Sequence, residues 1–293
     1  ALSEMLPNFS RSKITSWIRS GDALINKNIF KPKDKSNGNE VVTLSIKKTK
    51  SVNWDPEKIP LDIVFEDSEI IVINKPIGLV THPGAGNWSG TLANALLGYD
   101  HNLSKLDRAG LVHRLDKNTS GLMVIAKNIK SQKFLVEQLQ SHLVEREYSA
   151  IVYGNMISGG LINESIGRDS KDRIKQAVIQ NGKEAITRYR VIDRFKSHTH
   201  VKAILETGRT HQIRVHLSYI GHPLIGDPLY GGHVRFPKKA CAELKEALKN
   251  FNRHALHSKK LTLKHPNSGE SMSWKVGLPK DMKSLLNVLN RFE

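Results

Sequence analysis

The chain has 293 residues, with 45 Lys and Arg against 28 Asp and Glu, a formal surplus of +17. So positive a balance calls for a polyanionic partner, and nucleic acid ranks ahead of a membrane surface because no basic amphipathic helix or lipidation motif is present. The length allows one large domain plus a small one, and with no membrane-length apolar run and no signal peptide, a soluble cytoplasmic protein is expected.

Numbering opens at Ala1 without a methionine and the first element begins almost at once, as expected of a trimmed N-terminus. Ser10 is a candidate N-cap for a helix from Arg11 to Ser20, with Ile14, Trp17 and Ile18 on one face and Gly21 as a left-handed stop. Short strands are expected at 23–26 and 41–46. Residues 1–50 hold ten Lys or Arg against four Asp or Glu, and Arg11, Lys13 and Arg19 fall on the helix. A solvated basic face would account for the charge alone; the helix–loop–strand pattern makes an RNA-contacting surface the better reading. Residues 49–60 lack periodicity, contain Pro56 and Pro60, and read as a linker.

Beyond the linker a hairpin is expected, with strands at 62–65 and 70–74 around a turn at Asp67-Ser68. His82-Pro83-Gly84-Ala85-Gly86 is glycine-rich, but it lacks the ending of a phosphate-binding P-loop and reads as a packed loop beside the site. A helix over 132–143 stacks Leu135, Leu139 and Leu143. Strands follow at 147–154, 186–193, 200–206, 261–263 and 272–276, and a last helix carries Met282, Leu285, Leu286 and Leu289. Cys241 is the only cysteine. It excludes an intrachain disulfide and reads as incidental. Strands in consecutive runs define the expected fold class. It is α+β, a mostly antiparallel mixed sheet flanked by helices, with a small α/β domain at 1–48, a linker at 49–60 and the larger domain at 61–293.

The most informative stretch runs from Gly110 to Lys127. Two apolar runs bracket the polar segment 113–121, and the second reads as a buried strand, so the segment is a loop pinned by core on at least one side. Asp116 lies between Arg114 and Lys117, cations that would keep its carboxyl ionised. With no partner carboxylate in sight it suits nucleophilic work better than proton shuttling. By composition alone the segment is also an ordinary connecting turn, and that plainer reading ranks first.

A second such stretch is 205–216. A strand ends at Gly208 and a helix is expected to start near Thr210, offering its N-terminus to a phosphate or to the Asp116 carboxylate. His211 and His216 are five apart. That suits neither one helical face nor a His-x-x-x-His site, so hydrogen-bonding or RNA-facing histidines are expected and no metal.

His113-Arg114-Leu115-Asp116-Lys117-Asn118-Thr119-Ser120-Gly121-Leu122 resembles the active-site signature of the large-subunit ribosomal RNA branch of the pseudouridine synthases. That resemblance reverses the ranking of catalytic loop and plain turn. Asn74-Lys75-Pro76 resembles the family's first motif. Segments 59–64, 221–228 and 255–257 are similar to bacterial enzymes of this branch. The resemblance implies the pseudouridine synthase catalytic fold and three groups that meet: Asp116 as nucleophile, Tyr148 on a following strand, and Arg214 as the partner of Asp116, with Arg209 ranked lower for that place. It implies that the N1–C1′ bond of a uridine breaks, the uracil rotates and C5 joins C1′, with Asp116 acting at C1′ or adding to C6. Tyr148 stacks on the base and helps remove the C5 proton. No cofactor is needed.

The target base must leave its stack. The resemblance puts Arg114 in the vacated gap, with a plain phosphate contact as its other role, and His113, Lys117, Arg209 and His211 as further RNA contacts. Residues 6–26 resemble the S4 RNA-binding module with a shortened first segment, which implies RNA contacts by Arg11, Lys13 and Arg19. The implied partner is ribosomal RNA or the ribosomal large-subunit precursor, at uridines of an intersubunit stem-loop, bound by a monomer without membrane or small-molecule cofactor. Two alternatives stay open: a synthase of this family acting on tRNA or another rRNA site, and a catalytically silent RNA-binding ribosome-assembly factor.

Overall fold

A computed structural model describes residues 2–6, 11–35, 38–45, 54–84, 86–172 and 174–293. The expected cap Ser10, the Lys13 side chain and residues 46–53, with most of the expected linker, lie outside the described residues. The chain divides into two compact units, Ala1–Asn53 and Trp54–Glu293.

The first unit comprises helices α1 (Leu2–Met5) and α2 (Arg11–Ser20) and strands β1 (Ala23–Ile25) and β2 (Val42–Leu44). Ile14, Trp17 and Ile18 recur at helical spacing, so they share one face of α2 and bury with Ala23 against Leu2, Leu6, Phe30 and Leu44. Gly21, with φ +75°, turns the chain into β1, which pairs antiparallel with β2. Arg11 and Arg19 are exposed.

In the second unit, β3 (Ile63–Glu66) and β4 (Ile70–Lys75) form a hairpin and α3 (Leu92–Tyr99) follows. Then come β5 (Ser120–Ala126), α4 (Ile129–Gln140), β6 (Glu145–Tyr153), β7 (Gly160–Asn163), β8 (Ile166–Arg168) and β9 (Gln176–Val178). Strands β10 (Ile186–Arg194) and β11 (His198–Leu205) lead to α5 (Gln212–Tyr219) and α6 (Ala242–Asn250), and β12 (Leu256–Lys264), β13 (Ser271–Lys275) and α7 (Lys280–Phe292) close the unit. Residues 54–60, expected as the end of a linker, pack here instead. Trp54 lies against the core, and Asn94 Nδ2 donates to the Asp55 carbonyl at 2.8 Å.

The main sheet runs β3-β4-β5-β12-β6-β11-β10-β7, with β13 paired to β12. It is α+β and antiparallel throughout, except where β5 and β12 run parallel at Ser120–His257 and Gly121–Ser258. Side chains alternate across a strand. Accordingly Ile71, Ile73, Met123 and Ile125 meet Leu92 and Leu96 of α3 and Ile213 and Leu217 of α5, while Ile70, Val72, Leu122 and Val124 meet Leu135 of α4. Further along, Ile151 and Tyr153 pack on α6 and α7 through Leu244, Leu248, Met282, Leu285 and Leu289. Covered on both faces, β5 is buried at every position and reads as a continuous apolar run. Among the described residues no helix is long and apolar enough to cross a membrane.

Candidate active site

The polar segment ahead of β5 is held almost residue by residue. His113 Nε2 accepts from the Val124 N–H at 3.0 Å, and the Leu115 carbonyl accepts from Thr81 Oγ1 at 2.7 Å. The Lys117 carbonyl accepts from Lys75 Nζ at 3.2 Å, and that of Asn118 from Arg253 Nη1 at 3.3 Å. Thr119 Oγ1 pairs with His254 Nε2 at 2.7 Å, and Ser120 Oγ with His257 Nδ1 at 2.9 Å. The buried side chains of Leu111 and Leu115 anchor the same segment in the core. A reactive group on such a loop is fixed before substrate arrives.

Asp116 is that group. Its Oδ2 accepts from Arg214 Nη1 at 2.9 Å, and His211 Nε2 stands 3.8 Å away. Arg214 is the third residue of α5, which begins two residues later than expected because His211 takes a left-handed conformation at φ +57°. The buried Gln212 fixes this turn, its Oε1 accepting from the Arg209 N–H and Thr207 Oγ1 and its Nε2 donating to the Ile186 carbonyl. The far edge of the Arg214 fork binds Asp227, Nε to Oδ2 at 2.8 Å and Nη2 to Oδ1 at 2.9 Å. The Asp227 side chain is 0% exposed, and its Oδ1 also accepts from the N–H groups of Leu229 and Tyr230. Tyr230 lies beneath the guanidinium, 5.0 Å from carbon to ring centre.

Burial pushes the Asp116 carboxyl up, but His211 beside it and then the charge and hydrogen bond of Arg214 overcome it and hold the group below the usual carboxylate range. Arg214 is raised, because its two carboxylates outweigh its own burial. Burial lowers His211, so the ring is neutral at pH 7. The Tyr230 hydroxyl accepts from the Gln176 N–H and, among the described residues, has only His211 Nδ1 at 2.8 Å to donate to. The ring proton therefore sits on Nε2, facing Asp116. Two expectations are corrected. The charge of Asp116 is governed by His211 and Arg214, not by its chain neighbours: Arg114 is exposed and turns to His82 Nε2 at 3.4 Å, and Lys117 is exposed. And Asp116 has a companion carboxylate, Asp227, across the shared fork.

A cavity of about 500 Å³ opens above Asp116, lined by Tyr148, Arg114, Arg209, His211 and Arg214 among others. Tyr148 on β6 is buried, and burial raises its hydroxyl, so it stays protonated. Arg209 does not reach Asp116; its Nε donates to the Glu184 carbonyl at 2.8 Å. His113, expected among RNA contacts, has its Nε2 taken by Val124 and is driven down to about 3 by burial, so it works as a neutral pin for the loop. His216 sits in the core, bonded to Thr187 Oγ1 and the Glu164 carbonyl. Arg11 and Arg19 belong to the first unit, and the Lys13 side chain lies outside the described residues.

Several side chains of this site were not singled out from sequence. Lys75, 0% exposed, donates from Nζ to the carbonyls of Pro76, Leu79 and Lys117, and burial lowers it to about 7. Arg253 binds Asp281 through Nε and Nη2 while its Nη1 holds the loop. Lys75 was noted only as part of a stretch resembling the family's first motif, and a lysine inside an otherwise apolar strand was a further signal; Asp227 lies in the similar segment 221–228 but reads locally as a turn residue. The assembled site offers a fixed, ionised carboxylate beside a cavity wide enough for a nucleoside, with a protonated phenol on its wall.

The RNA pseudouridylate synthase family matches residues 69–219, which include Asp116, Tyr148 and Arg214. The chain is 50% identical over 290 residues to ribosomal large subunit pseudouridine synthase D of Yersinia pestis, covering 99% of this chain and 89% of that protein. To the protein of that name in Escherichia coli K12 it is 48% identical over 290 residues, with the same coverage, and to that of Xanthomonas campestris 46% over 288 residues, covering 98% and 87%. Among solved structures, human RNA pseudouridylate synthase domain containing 4 superposes with a TM-score of 0.61 at 28% identity, covering 79% of this chain and 93% of that one. Human RNA pseudouridylate synthase domain containing 1 shares the fold, with a TM-score of 0.58. With matches spanning the sheet, the loop of Asp116 and nearly the whole length, the chain belongs to the RNA pseudouridylate synthase family.

Proposed function

We propose that this protein converts uridine to pseudouridine in large-subunit ribosomal RNA, with Asp116 as the nucleophile. The observation that carries the reading is the Asp116 carboxylate, held ionised by Arg214 on a loop pinned at every second residue or closer. As the N1–C1′ bond breaks, positive charge builds at C1′, and a fixed carboxylate is the group that stabilises or captures it. A carboxylate of lowered pKa is also a good leaving group when C5 displaces it from C1′. Asp116 is therefore assigned to the sugar and not to C6. The C5 proton leaves and N1 gains one, so the isomerisation balances without a co-reactant.

Tyr148, kept protonated by burial, serves as the wall against which the detached uracil turns. Arg214 orients Asp116, and the exposed Arg114 is assigned to the gap left by the extruded base. The basic first unit is assigned as an S4-like RNA grip. The protein acts as a monomer on the large-subunit precursor in the cytoplasm.

Asp116→Asn tests the assignment, since it keeps shape and loses charge. It should bind RNA as the parent does and form no pseudouridine, read by tritium release from C5-labelled uridine RNA. Activity within about tenfold of the parent would overturn it. The substrate is tested by mapping pseudouridines in RNA from cells lacking the gene, with and without its restoration; sites that vanish from tRNA and not from large-subunit rRNA would refute it.

A further inference from the structure

One arm of the cavity is left unused by the chemistry at Asp116. Its wall is formed by Leu139 of α4, His142, Arg146 at the start of β6, Gly208 and Arg209 after β11, and Arg108. Arg146 is only 5% exposed, yet no carboxylate accompanies it among the described residues. Its Nη2 donates to the carbonyls of Leu205 at 3.5 Å and Glu206 at 3.1 Å. Nε is buried without a partner among the described residues, and Nη1 likewise makes no hydrogen bond there. Its titratable neighbours are the protonated Tyr148 hydroxyl and another cation, Arg209. Among the described residues Asp116 is the one acid on the cavity wall, and Arg214 already holds it.

A guanidinium buried without counter-charge is costly, and such a group ordinarily has an anion to meet. The approach is open because residue 208 is glycine: a Cβ there would stand 2.7 Å from Arg146 Nη1. Arg146 and Tyr148 are two residues apart on β6 and so share one face, about 7 Å from each other along the strand. A nucleotide whose base lies against Tyr148 brings its own flanking linkage into that arm. We propose that Arg146, with Arg209 near it and Arg108 elsewhere on the cavity wall, forms a subsite for one backbone phosphodiester flanking the target nucleotide. The planar fork matches two phosphate oxygens, and the absence of any acid from the described residues of this arm fits a full negative charge better than a neutral uracil carbonyl. The proposal rests on RNA being the substrate, as argued above, and not on which uridine is modified.

The probe is a nine-nucleotide single-stranded RNA with one central uridine, together with versions in which one linkage at a time is an uncharged methylphosphonate. Affinity is measured at two salt concentrations for the parent protein, Arg146→Met, Arg146→Lys and Gly208→Ala, with thermal melting to check folding. The parent should lose about tenfold in affinity at one linkage next to the uridine. Arg146→Met should bind the unmodified RNA about tenfold more weakly and be indifferent to that linkage, and its slope of log K against log salt should be shallower by about 0.7. Arg146→Lys should restore the slope and only part of the affinity, and Gly208→Ala should blunt the response to the same linkage. If no linkage matters to the parent, if the parent does not bind the probe, or if folded Arg146→Met responds to the linkages as the parent does, the subsite is refuted. Should Arg146→Met not fold, Arg146→Lys and Gly208→Ala decide by the same linkage response. Pseudouridine formation is scored separately on the same RNA. Its failure alongside an Arg146-dependent linkage would count against the proposed reaction and leave the phosphate subsite standing.

Discussion

Arg214 divides its donors unequally between two carboxylates, and the division explains how Asp116 is aimed. Asp227 takes the two-point grip and fixes the plane of the guanidinium; Asp116 takes the single remaining contact. Asp227→Asn should therefore act on turnover more than on binding. The buried fork loses its counter-charge, so melting should fall by several degrees and turnover by about tenfold or more, with RNA affinity nearly unchanged. Calorimetry and initial rates check this; unaltered turnover would reduce Asp227 to a space-filler. Lys75 makes a second prediction. Burial brings it from 10.5 to about 7, with Arg253 adding to the fall and Asp116 opposing it. Between those two values the unfolded chain binds more protons than the folded one, so this group makes stability rise with pH across that window, at up to about 1.4 kcal/mol per pH unit. Denaturant unfolding at pH 7.5 and 9 should show the rise in the parent and its loss in Lys75→Met.

At the same scale lies the limit of what the chain discloses by itself. Asp116, Tyr148 and Arg214 draw their expected roles from the family resemblance, which is most specific over 113–122. Asp227 lies in the segment 221–228 that shares the resemblance but draws no role, because Gly226-Asp227-Pro228 has the composition of a turn and its meaning depends on a helix 13 residues earlier. Nor does adjacency in sequence settle electrostatics. Arg114 and Lys117 flank Asp116 but are exposed and make no ion pair with it among the described residues, whereas the cation that holds it is 98 residues away.

Among the elements, the join between β5 and β12 constrains the site most. Gly121 has φ +112°, and a Cβ there would lie 2.2 Å from the Ser258 carbonyl oxygen. Gly121→Ala is strained in its backbone and must push β5 from β12, dragging the Thr119–His254 and Ser120–His257 contacts with it. A loss of about 3 kcal/mol or more is expected by denaturant unfolding, with turnover falling further than stability. Of the two strands at this join β5 was legible as an apolar run, but β12 was expected only at 261–263 and not at the join itself, and the parallel pairing brings together residues 137 apart. Helices were legible in part. The leucine spacing of α4 was visible, yet the helix starts earlier, capped by Asn128, and ends at Gln140 because His142 turns left-handed, leaving Leu143 exposed. The helix α3 escaped notice: its buried run lacks polar alternation, and its capping box closes with Asn94 where Glu or Gln is usual.

At the scale of the molecule the units are unequal in kind. The larger one contains every group assigned to the chemistry, and the smaller one supplies exposed cations on a short helix. If it is an RNA grip, Arg11→Gln and Arg19→Gln together should weaken binding and flatten the slope of log K against log salt by roughly 0.7 to 0.9 for each phosphate no longer neutralised, with turnover on saturating short RNA unchanged. An unchanged slope would make its charge a solvated face. That the chain falls into a small and a large unit was expected from the charge of residues 1–50 and the prolines that follow, although residues 54–60 belong to the larger body.

The way the Asp116 loop is tied down also dictates when it can come into being. Its second half is held by residues 253–258, and Arg253 is itself gripped by Asp281 at the start of α7. During synthesis from the N-terminus, all three proposed reactive groups are made well before the segment that locks them. The partly made chain then carries Asp116, Tyr148 and Arg214 in full and has no finished site. Contacts so distant along the chain close late. A nascent chain in which residues 253–281 have not yet emerged is, on this account, chemically mute, and competence waits for that segment to close the lock.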